Sequence, residues 1–269
     1  GAVFFIILWF KNRELLRNIS PERIFSELKG ILCARGAGEM LLAFPEVFFV
    51  ILPELAPMRG FDTRRPQNHC WDVWGHTAHA VDAIAPESVL RLTMLFHDSG
   101  KPETFRYDVQ AGFGRFPGHP AVSARIADAA LRALRCDNAA RERVVTLVEN
   151  HEMRTGHGKK DLRRLLAKIG EKNMRDLLLV RRADAAAHAP EAAARLTALA
   201  DEDERILHEI TAERGCLHVK DLAVSGNDLL ALGLKPGAAV GETLSRLLDL
   251  VLDEEVPNEK GALLAAARK

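Results

Sequence analysis

The chain has 269 residues, 48% of them apolar, and its 37 basic residues balance 37 acidic ones, an ordinary soluble globular composition with room for one large or two modest domains. Aromatics are scarce, and Ala, Leu and Arg dominate, which suits helices better than strands. Four cysteines (Cys33, Cys70, Cys136, Cys216) with no CxxC pair count against a disulfide framework and a zinc ribbon, and fit a reducing cytosol.

The opening run 2-AVFFIILWF-10 is too short to cross a bilayer. Lys11, Asn12 and Arg13 follow it, where a secretory signal wants small residues, and the chain starts with Gly. It reads as a truncated, damaged or processed start, with a buried helix as the alternative. Ser20-Pro21-Glu22 marks a helix start, and Ile24, Phe25, Leu28, Ile31 and Leu32 then share one helical face. A second apolar helix, 38–55, is interrupted by Pro45 and stopped by Pro53. Turn formers and charges across 57–69 place a boundary there.

A helical unit is expected from Trp71 to His188, broken by the glycine-rich 106-RYDVQAGFGRFPGHP-120, which suits a short hairpin. Helices are predicted at 121–134, 139–151, 160–169 and 173–188. Residues 191–269 read as a further helical module with a turn-rich insert, 225–241, in which a helix starts after Lys235-Pro236. Backbone amides there suit a nucleic-acid phosphate, or the insert is a plain turn. The run 244-LSRLLDLVL-252 is core. Residues 101–182 carry 18 Lys+Arg against 10 Asp+Glu, an excess that suits a phosphate-bearing partner or solvated helix faces.

Eight of the ten histidines fall between His69 and His188. In 90-LRLTMLFHDSGKP-102 a helix should end near Gly100, with Pro102 preventing its continuation. His97 and Asp98 then sit side by side in the last turn, where the helix dipole favours a cation. A metal ion held by imidazole and carboxylate explains the pairing. His76, upstream on a helix with a buried face, and Asp184, after an apolar helical run, complete two imidazoles and two carboxylates. That set suits a first-row transition ion or Mg²⁺ with open positions rather than a closed structural zinc site. His79, three residues after His76, competes for the upstream position. Lys101 suits a phosphate oxygen, or is an exposed lysine. Arg181 and Arg182 lie close before Asp184, so one can reach the site and at least one faces solvent.

His76, His97-Asp98 and Asp184 resemble the H…HD…D signature of the HD metal-dependent phosphohydrolase superfamily, and 97-HDSGKP-102 is close to its HD-x-GKP form. The resemblance implies one or two divalent ions (Mg²⁺, Mn²⁺, Ni²⁺ or another transition ion). His119 and His151 fall where members with a more elaborate site carry extra ligands; here they bind a second metal, orient the phosphate, or hydrogen-bond a loop. The segments 15–32, 52–58, 72–83 and 225–259 together resemble the C-terminal portion of bacterial tRNA nucleotidyltransferases of the CCA-adding and poly(A) polymerase family, over about residues 11–269.

That resemblance implies an all-α, multi-helix bundle: a partial neck at 1–60, an HD domain at 61–190 and a helical tail at 191–269 with possible tRNA contact. The family's polymerase head, with its glycine-serine turn and DxD pair, has no counterpart in these residues, so nucleotide addition is not expected of this chain alone. It reads as a fragment, or as a stand-alone relative that kept the HD unit and tail.

Two functions are weighed. The first is a cytoplasmic, metal-dependent phosphohydrolase or phosphodiesterase acting on cyclic or terminal RNA phosphates or on a nucleotide. His76, His97, Asp98 and Asp184 hold the ion, His119 and His151 add a second, and Asp98 and Lys101 serve catalysis. Lys101, Arg181 and Arg182 offset charge on the phosphoryl oxygens. The second is a non-catalytic module that grips tRNA for a nucleotidyltransferase head. Neither involves a membrane.

Overall fold

The computed structural model describes residues 13–63, 70–152, 158–212 and 215–268. The apolar opening run, His69 and His157 lie outside the described residues. Among the described residues, thirteen α-helices and three short 3-10 segments stand against one two-stranded hairpin, so the chain is all-α. It divides into two compact units, residues 1–153 with 175–200, and residues 154–174 with 201–269. No helix among the described residues is long and apolar enough to cross a membrane.

The first unit opens with α1 (Pro21–Leu32), which buries Ile24, Phe25, Leu28 and Leu32, four of the five residues expected on its apolar face. Pro45 and Pro53 divide the next stretch as expected. The result is α2 (Ala37–Ala43), α3 (Pro45–Ile51) and a 3-10 segment (Pro53–Met58), each proline sitting at the start of the element it opens.

Two helices follow, α4 (Val73–Ala83) and α5 (Ser88–Phe96). Asp72 caps α4 by accepting a hydrogen bond from the Gly75 amide. In α5 seven consecutive residues, Leu90 to Phe96, are buried, so the helix is enclosed on all sides and forms the centre of the unit. Arg91 tolerates this because its guanidinium donates to the Ala85 carbonyl at 3.3 Å and to Asp82 at 3.4 Å.

One expectation is corrected at the end of α5. The regular helix stops at Phe96, and His97–Gly100 form a turn. The Ser99 hydroxyl donates to the Phe96 carbonyl at 2.8 Å, satisfying a carbonyl the ending helix leaves open. Pro102 does not merely block the helix; it opens the short α6 (Lys101–Thr104), because proline fits a first turn whose amides lack partners.

The hairpin follows as β1 (Arg106–Asp108) and β2 (Phe113–Arg115), antiparallel, with Tyr107 opposite Gly114. Asp108 turns the chain by accepting from the amides of Gln110 and Ala111. Then α7 (His119–Ala133) and α8 (Asn138–Asn150) pack on each other and on α5.

The two helices predicted around 160–188 are present as the two halves of α9 (Lys159–Ala186), parted at Gly170, which is non-helical with φ 79° and ψ 160°. Residues before 175 belong to the second unit and those from 175 to the first. Helix α10 (Pro190–Ala212) passes back from the first unit to the second.

The second unit also holds α11 (Gly226–Ala231), α12 (Ala238–Leu252) and α13 (Lys260–Ala267). Its core joins Cys216, Leu222, Val224, Leu229, Leu247 and Leu263, with Leu244, Leu248, Leu250 and Val251 packed against it, so the leucine run is core as expected. The four cysteines are free thiols.

Candidate metal centre

The turn after α5 delivers His97 and Asp98 into the interior of the first unit, 0% and 1% exposed. Gly100 brings α7 against this turn. Its amide donates to the Ser123 hydroxyl at 2.8 Å, and a Cβ there would lie 2.7 Å from the His119 carbonyl oxygen and 2.8 Å from the Ser123 nitrogen. Glycine alone permits that approach, and the approach carries His119 to Asp98.

Six residues named from the sequence converge. His76 Nε2 lies 2.8 Å from Asp184 Oδ1, 3.3 Å from His97 Nε2 and 3.6 Å from Asp98 Oδ2. His97 Nε2 lies 3.4 Å from Asp98 Oδ2 and 3.5 Å from Asp184 Oδ1. The other oxygen of Asp98, Oδ1, faces His119 Nε2 at 3.3 Å and His151 Nε2 at 3.7 Å, and those two rings meet at 3.2 Å. Asp98 therefore presents one oxygen to each of two donor groups.

The backbone sets the tautomers. Nδ1 of His97 faces the Met94 carbonyl at 2.7 Å, that of His119 the Phe116 carbonyl at 3.1 Å, and that of His151 the Val148 carbonyl at 2.7 Å. His76 Nδ1 faces the Ala187 carbonyl at 3.2 Å. A carbonyl only accepts, so each Nδ1–H donates and, in the neutral ring, each Nε2 turns a lone pair inward. The same outward bond orients metal-ligating histidines generally.

Inside the cluster, acceptors consequently face acceptors: Nε2 against Nε2 twice, and Nε2 against carboxylate oxygens. Buried groups so arranged need a proton or a metal ion among them. Ligands about 2.1 Å from one ion lie about 3.0 Å apart at octahedral angles and about 3.4 Å apart at tetrahedral ones. The cluster's spacings of 2.8 to 3.7 Å fall around those values. These residues fit a divalent metal, and three overlapping groups can hold one: His76, His97 and Asp98; Asp98, His119 and His151; and His76, Asp184 and His188.

Titration follows the same geometry. Burial disfavours a charged His97, but with no metal bound Asp98 and Asp184 outweigh it and push its pKa up to about 10, so a proton on Nε2 holds the place that a metal ion would take. Burial also opposes charge on Asp98, yet His97, Lys101 and bonds from His119 and His151 hold it well below the carboxylate range. Asp184 is likewise lowered, by His76 and His97 against its burial. Burial pushes His151 down, which keeps that imidazole a neutral ligand.

Lys101, 9% exposed, sets Nζ 2.6 Å from Asp98 Oδ2 and 5.6 Å from the centre of the Phe116 ring. It is not the exposed lysine of the bland reading. Arg181 is buried and Arg182 half-buried, three and two residues before Asp184. His79 leaves the contest for the upstream position, since its ring packs on Trp71 with centroids 4.4 Å apart. His188 was not named as a candidate from the sequence, although its place four residues after Asp184 on a helical run sets it beside the cluster, edge-on to His76 with centroids 4.9 Å apart.

A family model for tRNA nucleotidyltransferase domain 2 matches residues 121–267. The CC-adding tRNA nucleotidyltransferase of Thermus thermophilus is 34% identical over 249 residues, covering 90% of this chain and 55% of the relative. The A-adding tRNA nucleotidyltransferase of Deinococcus radiodurans is 30% identical over 243 residues, covering 85% of this chain and 54% of the relative. The chain thus spans about half the length of these curated relatives. With more than half of its residues matched by the family model, the chain belongs to the tRNA nucleotidyltransferase family, as a C-terminal portion of it.

Proposed function

We propose that this chain is an HD-type, divalent-metal-dependent phosphohydrolase or phosphodiesterase acting on RNA-terminal, 2′,3′-cyclic or nucleotide phosphates. The observation that supports the reading is the inward-facing set of nitrogen and oxygen atoms on His76, His97, His119, His151, Asp98 and Asp184, which a divalent ion would draw together. His76, His97, Asp98 and Asp184 are the ligands of one ion, and Asp98, His119 and His151 those of a second. When bound, such ions supply Lewis acidity toward a phosphoryl oxygen and lower the pKa of water.

The protein's own part is positional and electrostatic. Asp98 shares its two oxygens between the groups, which fixes their separation. Burial keeps the cluster in a low-dielectric interior, where each charge acts more strongly. Lys101 is tethered to Asp98 at 2.6 Å, close enough to be shared with a phosphate oxygen, and Arg181 and Arg182 are further cations for the phosphoryl group. Asp184, with 28% of its side chain exposed, marks the edge from which substrate arrives. The names of the relatives point to tRNA as the phosphate-bearing partner.

The test is metal analysis of purified protein together with hydrolysis of bis-p-nitrophenyl phosphate and 2′,3′-cyclic nucleotides under added Mn²⁺, Ni²⁺ or Mg²⁺. Turnover that needs metal and disappears in His97→Ala and Asp98→Ala is the expected result. Protein that holds no metal and hydrolyses neither substrate, yet binds tRNA, overturns the proposal in favour of a tRNA-gripping module.

A further inference from the structure

The hairpin stands out in the sequence, yet the chemistry proposed above gives it no role. It is built to press on a group of rings. Gly114 of β2 is buried, and a Cβ there would lie 2.5 Å from both Phe105 Cε2 and the Thr63 carbonyl oxygen, so the strand closes on Phe105 as only a glycine allows. Phe116 follows β2 directly. Its ring packs on those of Phe105 and Phe61, with centroids 5.8 and 6.5 Å away, and Phe61 meets Phe105 edge-on at 5.5 Å. The Phe116 ring is thereby fixed in place.

That place is beside Lys101. The lysine ammonium lies over the Phe116 ring, 5.6 Å from its centroid, within the range at which a cation is drawn to an aromatic face. Lys101 carries three N–H donors, and among the described residues it has one hydrogen-bond acceptor, Asp98 Oδ2 at 2.6 Å. The same oxygen faces His76 and His97, at 3.6 and 3.4 Å. A divalent ion among these three residues would draw on Oδ2 and repel the ammonium next to it. At 9% exposure, a lysine loosened from Asp98 has little water to turn to. The ring face attracts the ammonium without belonging to the ligand set.

Resting on the metal reading above, we infer that Phe116 is a positioning residue for Lys101. Its ring is the second seat of the ammonium, and it keeps a lysine N–H directed to a phosphate oxygen when a divalent ion takes up Asp98. The hairpin, Phe105 and Phe61 serve to fix that ring. Phe116 acts on the phosphate only through Lys101. Its carbonyl, which accepts from His119 Nδ1 at 3.1 Å, belongs to the backbone and survives a change of side chain.

Protein loaded with Mn²⁺, with metal content by elemental analysis and binding of inorganic phosphate by calorimetry, tests this. Phe116→Leu keeps an apolar side chain without a ring face. Phe116→pentafluorophenylalanine keeps the shape of the ring but reverses the charge of its face, and it stands alone if the leucine variant fails to fold. Both are expected to weaken phosphate binding by about tenfold with metal content at the wild-type level. In a Lys101→Met background the same changes are expected to weaken it no further, because the ring acts through that ammonium. Wild-type phosphate affinity in the fluorinated variant, or an equal loss in the Lys101→Met background, overturns the inference and leaves the metal reading intact. Loss of metal from the fluorinated variant makes Phe116 a support of the cluster and overturns it too, as does loaded wild type that binds no phosphate. Wild-type protein that takes up no metal overturns the metal reading, and the inference with it.

Discussion

The polar groups of the two units satisfy themselves in opposite ways. In the second unit charges meet complements: Asp253 accepts from Arg164 at 2.7 Å and lies 3.0 Å from Lys160, and Asp228 lies 2.6 Å from Lys260. These groups complete one another and need nothing added. In the first unit deeply buried imidazole nitrogens face their own kind, Nε2 against Nε2 at 3.2 and 3.3 Å. A fold that only had to be stable gains nothing from that arrangement, because buried acceptors without donors cost free energy. The contrast separates polar groups that hold a fold together from polar groups held for a purpose the fold does not serve.

The sharpest way to break this comparison is to remove a ligand. Asp98→Ala is expected to reduce metal affinity by more than about 100-fold, beyond the loss typical of an outer-shell change, because it faces both donor groups. Elemental analysis after dialysis checks it. Next in size is Phe96→Ala, which empties a fully buried site beside the cluster and should cost about 3–5 kcal/mol in chemical denaturation. Smaller, and opposite in sign between two conditions, is His119→Phe. Replacing one of two facing acceptors by an apolar ring should leave the melting temperature of chelator-treated protein unchanged or raised, while the gain on adding Mn²⁺ shrinks. If chelated His119→Phe melts well below chelated wild type, His119 is a structural hydrogen-bonding group and the contrast fails.

Much of the first unit was legible in the sequence because its signals are local. Pro45, Pro53 and the glycine-rich 106–120 announce their own breaks, and the apolar period of 22–33 announces a buried face. The pairing of His97 with Asp98 was also legible, since no ordinary helix end calls for it. Other features depend on contacts between distant segments. Pro102 looked like a stop, but Ser99 had already closed the helix one turn earlier, leaving the proline free to start another. The tight seat of Gly100 against α7 exists only once residues 119–123 pack there. His188 went unnoticed because its meaning depends on His76, more than 100 residues away in the chain, and on a backbone bond that fixes its ring. The division at Gly170 was legible as well: two helices were expected and two are present, parted where the glycine adopts φ 79°, which a side chain would resist.

The smallest expected effect lies on the self-satisfied side of the comparison. Asp253 has its pKa lowered to about 2, first by the hydrogen bond from Arg164 and then, against some desolvation, by Lys160. A carboxylate depressed in the folded state favours folding above its unfolded pKa, near 4, and loses that contribution as the pH falls through the folded value. At pH 7 Asp253→Asn should therefore lower the melting temperature by only about 2 °C or less, since exposed ion pairs contribute little, and the difference should narrow in high salt. Between pH 4 and pH 2 wild type should lose its small advantage and converge on the variant. The metal content of the two proteins should be identical throughout the neutral range, because Asp253 touches none of the cluster's ligands and its charge is answered by its own neighbours. A variant that lost metal with that single carboxylate would mean the second unit is not self-contained, and the division between its complementary charges and the first unit's facing acceptors would no longer hold.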